Sequence, residues 1–414
     1  MHLVALARRR AELDCSRQRA PSVEALLALV RDAAVAAPAG TWIRAFGYDE
    51  SFLLEKRAPS VAELDRAAPG HPVRLLHRTG HAAVLSTRAF REVGVSVRDV
   101  VYEPATLLRK KIPSASAADL AALLAGASEK LLQAGVTCLH DPTPGQSEAE
   151  IDALERHVSD GRIRQRVVTY GAREAFPRRS GNQPRFRHAG VKIVVTEESD
   201  ASTVAEDVAA ADRAGAQIAL HAVEGGPLVV AIDALRRLGP ERVRARRHRI
   251  EHAALCPPAL CREIADSGAT VVTHPGFLAS FGEKYASELC AQEQAWLYPL
   301  RSLRDAGVPL ALASDGPIGA PEPLATIAAA VRREGRTGAR LGPAEAVDAA
   351  EALRMHTLGG AIAAGQGGEI GSIEPGKLAD LVVLDGDPTT APAAEIASIR
   401  VCATVVAGEV AWAG

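Results

Sequence analysis

From about residue 115 onward, short β-branched runs alternate with Ala-rich stretches whose apolar residues recur at helical spacing. The run 115–135, ASAADLAALLAGASEKLLQAG, reads as an amphipathic helix that ends at a glycine and feeds a strand in VTCLHDP, 136–142. Further strands are expected at 164–172, 189–196, 216–223, 247–254, 269–276 and 308–317, with helices near 203–215, 227–238, 258–267 and 323–333. Seven strands, each followed by a helix, make βα units around a parallel sheet. A parallel barrel closes at eight strands, so the α/β pattern predicts a (β/α)8 barrel of the TIM type whose first strand is truncated.

The flanks break this rhythm. Residues 20–114 hold a helical stretch at 22–37, the segment GTWIRAFGYDE at 40–50 and one strand within 71–86, and read as an insertion between a first strand and the rest of the barrel. From about 365 the chain turns to short strands and Gly turns, a small β appendage. The expected division is a catalytic barrel over 1–364, carrying the insertion 20–114, and a β segment over 365–414.

Polar residues cluster where such a barrel concentrates chemistry. His140, Asp141, Lys192, His221, His252, His274 and Asp315 fall at or near the C-terminal ends of their strands, which converge on one mouth. A half-buried strand would alternate polar and apolar residues along its length, whereas here the apolar run comes first. His221, His252 and Asp315 suit a divalent cation such as Zn²⁺: neutral imidazoles, and a carboxylate that can also take a proton from activated water. Singly, each has a blander explanation, a hydrogen-bonded core histidine or a turn cap in SDGP. The same placement on three strands favours a site.

Lys192, inside a Val and Ile run, must snorkel, pair or be modified; carbamylation would make it an anion able to bridge two metals. Glu224, three residues after His221, either shuttles protons or caps the next helix, and both readings stay open. His274 contacts substrate or fills the mouth. Cys256 and Cys261 read as buried helix residues, and His356 as structural.

Composition narrows the partners. A chain of 414 residues with 47% hydrophobic content can bury a large core. Its 48 basic and 50 acidic residues leave a net charge of −2, which argues against nucleic-acid binding. Six cysteines without CxxC spacing fit a reducing compartment, with the cytoplasm as default. No apolar run reaches the ~18 to 20 residues of a membrane span. The expected partner is a small-molecule substrate.

The tail GEIGSIEPGKLADLVVLDGDP (368–388) resembles the C-terminal signature of the amidohydrolase superfamily. RTGHAAVLSTRAF (78–90), GVKI (190–193), RIEHAALCPP (249–258) and the stretch 296–331 resemble its amidohydrolase 3 branch, which includes N-substituted formamide deformylase. The likeness runs over essentially the whole chain.

That resemblance implies a metal-dependent barrel completed by a small β-sandwich, to which 365–414 contributes. His221, His252 and Asp315 correspond to the ligands of strands five, six and eight, and Lys192 to a strand-four lysine often carboxylated in two-metal members. Arg249 and Glu251 become supporting residues around His252. His2 matches the second histidine of the His-x-His motif, with Met1 in the intervening place. By this likeness roughly 50 residues of sandwich and first strand are missing. Their loss would leave a barrel edge open, put His2 on a frayed terminus and weaken metal binding.

The implied activity is hydrolysis of a C–N bond of amide, N-acyl or formamide type by metal-activated water. One or two ions, Zn²⁺ first, would be the cofactor, and Asp315 and Glu224 the catalytic groups. His274, Arg78 and His81 are candidate substrate contacts, although Arg78 and His81 equally suit internal pairs. A homodimer is the assembly the family suggests. Two alternatives stay open: an aminohydrolase (deaminase), suggested by His221-Ala-Val-Glu224, and a barrel inactivated by truncation.

Overall fold

The structure, a computed structural model, describes residues 1–78, 80, 82–102, 111–112, 117–177 and 183–414. The chain divides into two units, Val4–Leu123 and the combination of Met1–Leu3 with Leu124–Gly414. In the smaller unit five strands follow chain order: β1 (Leu13–Asp14), β2 (Ile43–Tyr48), β3 (Val73–His77), β4 (Ala82–Leu85) and β5 (Val101–Tyr102). β1, β2 and β3 pair in parallel, whereas β4 is antiparallel to both neighbours. The helix Val23–Ala36 starts at Ser22, whose hydroxyl accepts the Ala25 N–H, and lays Leu26 and Val30 against Ile43 and Leu75. The single strand expected within 71–86 is therefore two strands, because the chain reverses at Gly80, whose φ of 80° suits glycine.

The larger unit carries the parallel sheet. Its strands are β6 (Cys138–Asp141), β7 (Arg166–Gly171), β8 (Phe186–Val194), β9 (Gln217–Glu224), β10 (Arg249–Leu255), β11 (Thr270–Thr273) and β12 (Leu310–Leu312), ordered as in the chain. Such strands are covered on both faces, which is why they read as apolar runs. Alternate residues divide between the two faces. Val191, Ile218, Leu220, Ile250 and Val271 pack with residues of the surrounding helices, such as Val208, Leu228 and Ile264. Val168, Tyr170, Ala189 and Ala219 form a separate cluster on the opposite side.

At Gly190 an added Cβ would lie 1.8 Å from the Gln217 carbonyl oxygen, so only glycine lets β8 approach β9 there. Helices follow most strands, but among the described residues the β7–β8 link carries only a 3-10 turn, Arg173–Ala175. That connection contains Pro177 and Pro184, which oppose a helix. Cys261 lies in the helix Pro258–Ser267, while Cys256 sits in the turn before it.

β13 (Leu381–Leu384), β14 (Val401–Val406) and β15 (Glu409–Ala413) form an antiparallel sheet, tied to the helix Ala117–Gln133 where Thr404 Oγ1 donates to the Leu132 carbonyl at 2.7 Å. At the edges of the parallel sheet, the His2 N–H donates to the Gly316 carbonyl at 2.6 Å and the Leu3 N–H to Asp141 Oδ2 at 3.1 Å. Residues 1–3 thus touch both the β6 end and the turn after β12, so His2 is anchored rather than frayed. No helix among the described residues is long and apolar enough to cross a membrane.

Candidate active site

Strand parity delivers most of the expected side chains to one place. Lys192 alternates with Val191 and Ile193, and His221 with Leu220, so both point away from the helix layer, whereas Asp315 lies three residues beyond the end of β12. His252 breaks the rule. After Ile250 it should face the helices, but its φ is 79°, that of Ala253 is 46°, and the register with β9 shifts between His252 and Leu255. This bulge turns the imidazole toward its neighbours: its ring centroid is 4.4 Å from that of His221 and 4.5 Å from that of His274. Asp315 is also left-handed, at φ 53°. Positive φ is costly for residues with a Cβ, and of the three that adopt it here, His252, Ala253 and Asp315, two are candidate ligands.

His2 completes the group. Its Nε2 lies 3.2 Å from Asp315 Oδ1, and its Nδ1 is 2.7 Å from Thr143 Oγ1. The electrostatics suit a cation. Burial, helped by the Lys192 charge, lowers the His221 pKa to about 4; burial lowers His274 to about 4 and His252 well below the usual histidine value. These imidazoles are therefore neutral, as metal ligands must be. Burial opposes ionisation of Asp315, but the His2 hydrogen bond holds its carboxyl well below the usual range. Burial brings Lys192 down to about 8. The His274 Nδ1 is buried without a hydrogen-bond partner. Imidazole and carboxylate donors of this kind suit a borderline divalent ion such as Zn²⁺, and they stand as two close sets, His2 with Asp315 and His252 with His221 and His274.

Beneath this group, Arg249 Nε pairs with Glu251 Oε1 at 2.5 Å, with side chains 1% and 4% exposed. The guanidinium stacks 4.4 Å over the Tyr170 ring and donates to His140 Nδ1 at 3.2 Å. Although burial disfavours its charge, Glu251 is held down to about 2 by Arg249 and Lys192. The strand that delivers His252 therefore carries its own neutralised ion pair.

Other expected residues lie elsewhere. Glu224 is exposed at the N-cap of the helix Gly225–Arg236, where its side chain makes no capping bond. Arg78, in the smaller unit, pairs internally with Asp49 and stacks 4.9 Å from the Phe52 ring. His81 lies outside the described residues. In that unit Asp49, Glu50 and His77 also bring one ligand atom each within 4.8 Å of one another. Asp49 there already accepts from Ser51 and carries its own cation, the Arg78 guanidinium. His356 sits in a π-helical turn, Met355–Gly359, where burial lowers its pKa to about 4.

Asp141 was expected at the barrel mouth without a role, and Thr143 was not among the expected site residues. The signal was a strand-end Asp followed two positions later by Thr, which is an Asx-turn pattern.

The family described as "Amidohydrolase family" matches residues 1–411. N-substituted formamide deformylase from Arthrobacter pascens is 30% identical over 452 aligned positions, covering 96% of this chain and 83% of that protein. Among solved structures, an uncharacterized metal-dependent hydrolase from Pyrococcus horikoshii superposes with a TM-score of 0.78 at 22% identity, covering 95% of this chain and 86% of that one. A counterpart from Pyrococcus furiosus gives 0.73 at 24% identity, covering 94% and 86%. These likenesses establish the barrel fold.

Proposed function

Because the chain belongs to the amidohydrolase family, we propose that it is a metal-dependent hydrolase of a C–N bond in a small molecule, of amide, N-acyl or formamide type. The observation that carries this reading is that the His221–His252 ring pair and the His2–Asp315 pair lie within electrostatic reach of one another, with His252 and Asp315 both on left-handed backbone. These four would hold a divalent ion, Zn²⁺ by donor chemistry, and Lys192, if carboxylated, a second. A bound cation of this kind supplies Lewis-acid activation of a carbonyl and of water.

The protein's own groups do the rest. Asp315, anchored by His2, takes the proton of the attacking water and returns it to the leaving nitrogen. His274, packed between His252 and Phe277, orients the substrate from the side of β11. The Arg249–Glu251 pair keeps β10 in place. The formamide deformylase relative favours an N-acyl or formamide substrate. A deaminase using Glu224 would need that carboxylate at the reacting centre, and it is exposed at the end of β9, at the N-cap of the following helix.

The test is amine release from a panel of N-substituted formamides and N-acyl amines by Zn²⁺-loaded protein, with Asp315→Asn as control. Release that disappears in Asp315→Asn supports the reading. Ammonia from aminated heterocycles without amine release from the panel would replace it with the deaminase, and inertness toward both would favour the inactive barrel.

A further inference from the structure

We infer that Thr143, held by Asp141, is a positioning residue that selects the tautomer of His2 and so aims its Nε2 lone pair at the ion-binding space. The inference rests on the metal reading above and deepens it. The argument is a proton count along one chain of contacts. Asp141 Oδ1 receives the Thr143 hydroxyl, the Thr143 N–H at 3.1 Å and the Gln146 side-chain amide at 3.2 Å; Oδ2 receives the Leu3 N–H at 3.1 Å. A carboxylate only accepts, so the Thr143 hydroxyl spends its single proton on it.

What Thr143 Oγ1 then offers His2 is a lone pair, and the 2.7 Å contact to Nδ1 requires Nδ1 to carry the proton. With Nδ1 turned to Thr143, Nε2 is the ring nitrogen that meets Asp315 Oδ1, 3.2 Å away, and the one whose lone pair a cation would take. An imidazole nitrogen and a carboxylate oxygen facing one another pair together without an ion and offer two donors to a shared cation.

Backbone contacts aim the same ring. Asp141, through Leu3, and Gly316, through the His2 N–H, clamp the chain on both sides of His2. Asp141 is 1% exposed, so its hydrogen bonds do not compete with bulk water. Without Thr143's oxygen, Nδ1 loses its acceptor and the ring is free to carry its proton on Nε2, where it would block the ligand position.

The experiment compares wild-type, Thr143→Val and Thr143→Ser proteins of these 414 residues by Zn²⁺ competition against a chromogenic chelator, with thermal melts of the metal-free proteins as a fold control. Side-chain ¹⁵N–¹H correlation spectra of wild type, with His2 assigned by its loss in His2→Gln, read the tautomer directly. We expect Thr143→Val to bind Zn²⁺ about 10- to 100-fold more weakly, Thr143→Ser to recover most of that loss, and wild-type His2 to be protonated on Nδ1. Unchanged affinity in Thr143→Val, equal losses in the Val and Ser variants, or a neutral His2 protonated on Nε2 would overturn the inference. Failure of wild type itself to capture Zn²⁺ would instead sink the metal reading, and the metal-free spectrum would still decide the tautomer.

Discussion

Replacing Glu251 by Gln isolates the buried ion pair under the candidate metal centre. The substitution keeps the side-chain shape and removes the charge opposite Arg249, which is 1% exposed and 2.5 Å from it. Breaking a buried pair on one side costs about 3–5 kcal/mol, because the remaining charge stays desolvated without a partner. The depressed pKa of Glu251 points to the same size: a shift from 4.5 to about 2 corresponds to about 3 kcal/mol. With an unfolding entropy of about 2.1 cal/mol/K per residue over roughly 300 residues of the larger unit, the melting point should fall by about 5–8 °C.

The assay is calorimetry on metal-free protein, so that lost metal does not masquerade as lost pairing. An apolar double variant, Arg249→Met with Glu251→Leu, should recover much of the loss, since no charge is then stranded. A Glu251→Gln melting point within a degree of wild type, or a double variant worse than the single one, would refute the reasoning.

Three further outcomes follow from the same geometry. Gly190→Ala places a Cβ 1.8 Å from the Gln217 carbonyl, so β8 and β9 must separate; the expected cost is about 1–3 kcal/mol by denaturant unfolding. Burial holds His248 at about 4 despite its bond to Asp212. The unfolded chain therefore takes up that proton first, and stability falls as pH drops from about 6.5 toward 4. His248→Gln should flatten that part of a stability–pH curve, and an unaltered slope would contradict the assignment. Glu251 has the carboxylate form of the same linkage: its contribution is complete above about pH 4.5 and is lost as pH falls toward 2, so Glu251→Gln should show a shallower acid limb.

Much of this was legible in the chain because the barrel's signals are local. Apolar runs followed by polar residues marked β8, β9, β10 and β12, and parity alone puts Lys192 and His221 on one face. His252 was legible as a candidate but not in its means of arrival: strict alternation sends it to the helices, and only the left-handed turn at His252 and Ala253 reverses that. Nothing in RIEHAAL announces a bulge. Arg249 and Glu251, two apart on one strand, were expected as supporting residues, and alternation puts them side by side as the structure pairs them. Asp141 and Thr143 matter through contacts with residues about 140 positions earlier, a separation no spacing rule reaches. The strand expected within 71–86 failed for the opposite reason: a local turn at Gly80 outweighed a continuous apolar reading.

The central claim is that His2, His221, His252 and Asp315 hold a divalent metal. Metal content per chain, measured by plasma mass spectrometry on protein purified without chelators, tests it most directly, with Asp315→Asn and His221→Ala alongside. The account predicts one or two equivalents of Zn²⁺ or a similar ion in the wild type and a loss of at least one in each variant. A metal-free wild type after Zn²⁺ loading, or variants that keep the full complement, would contradict it.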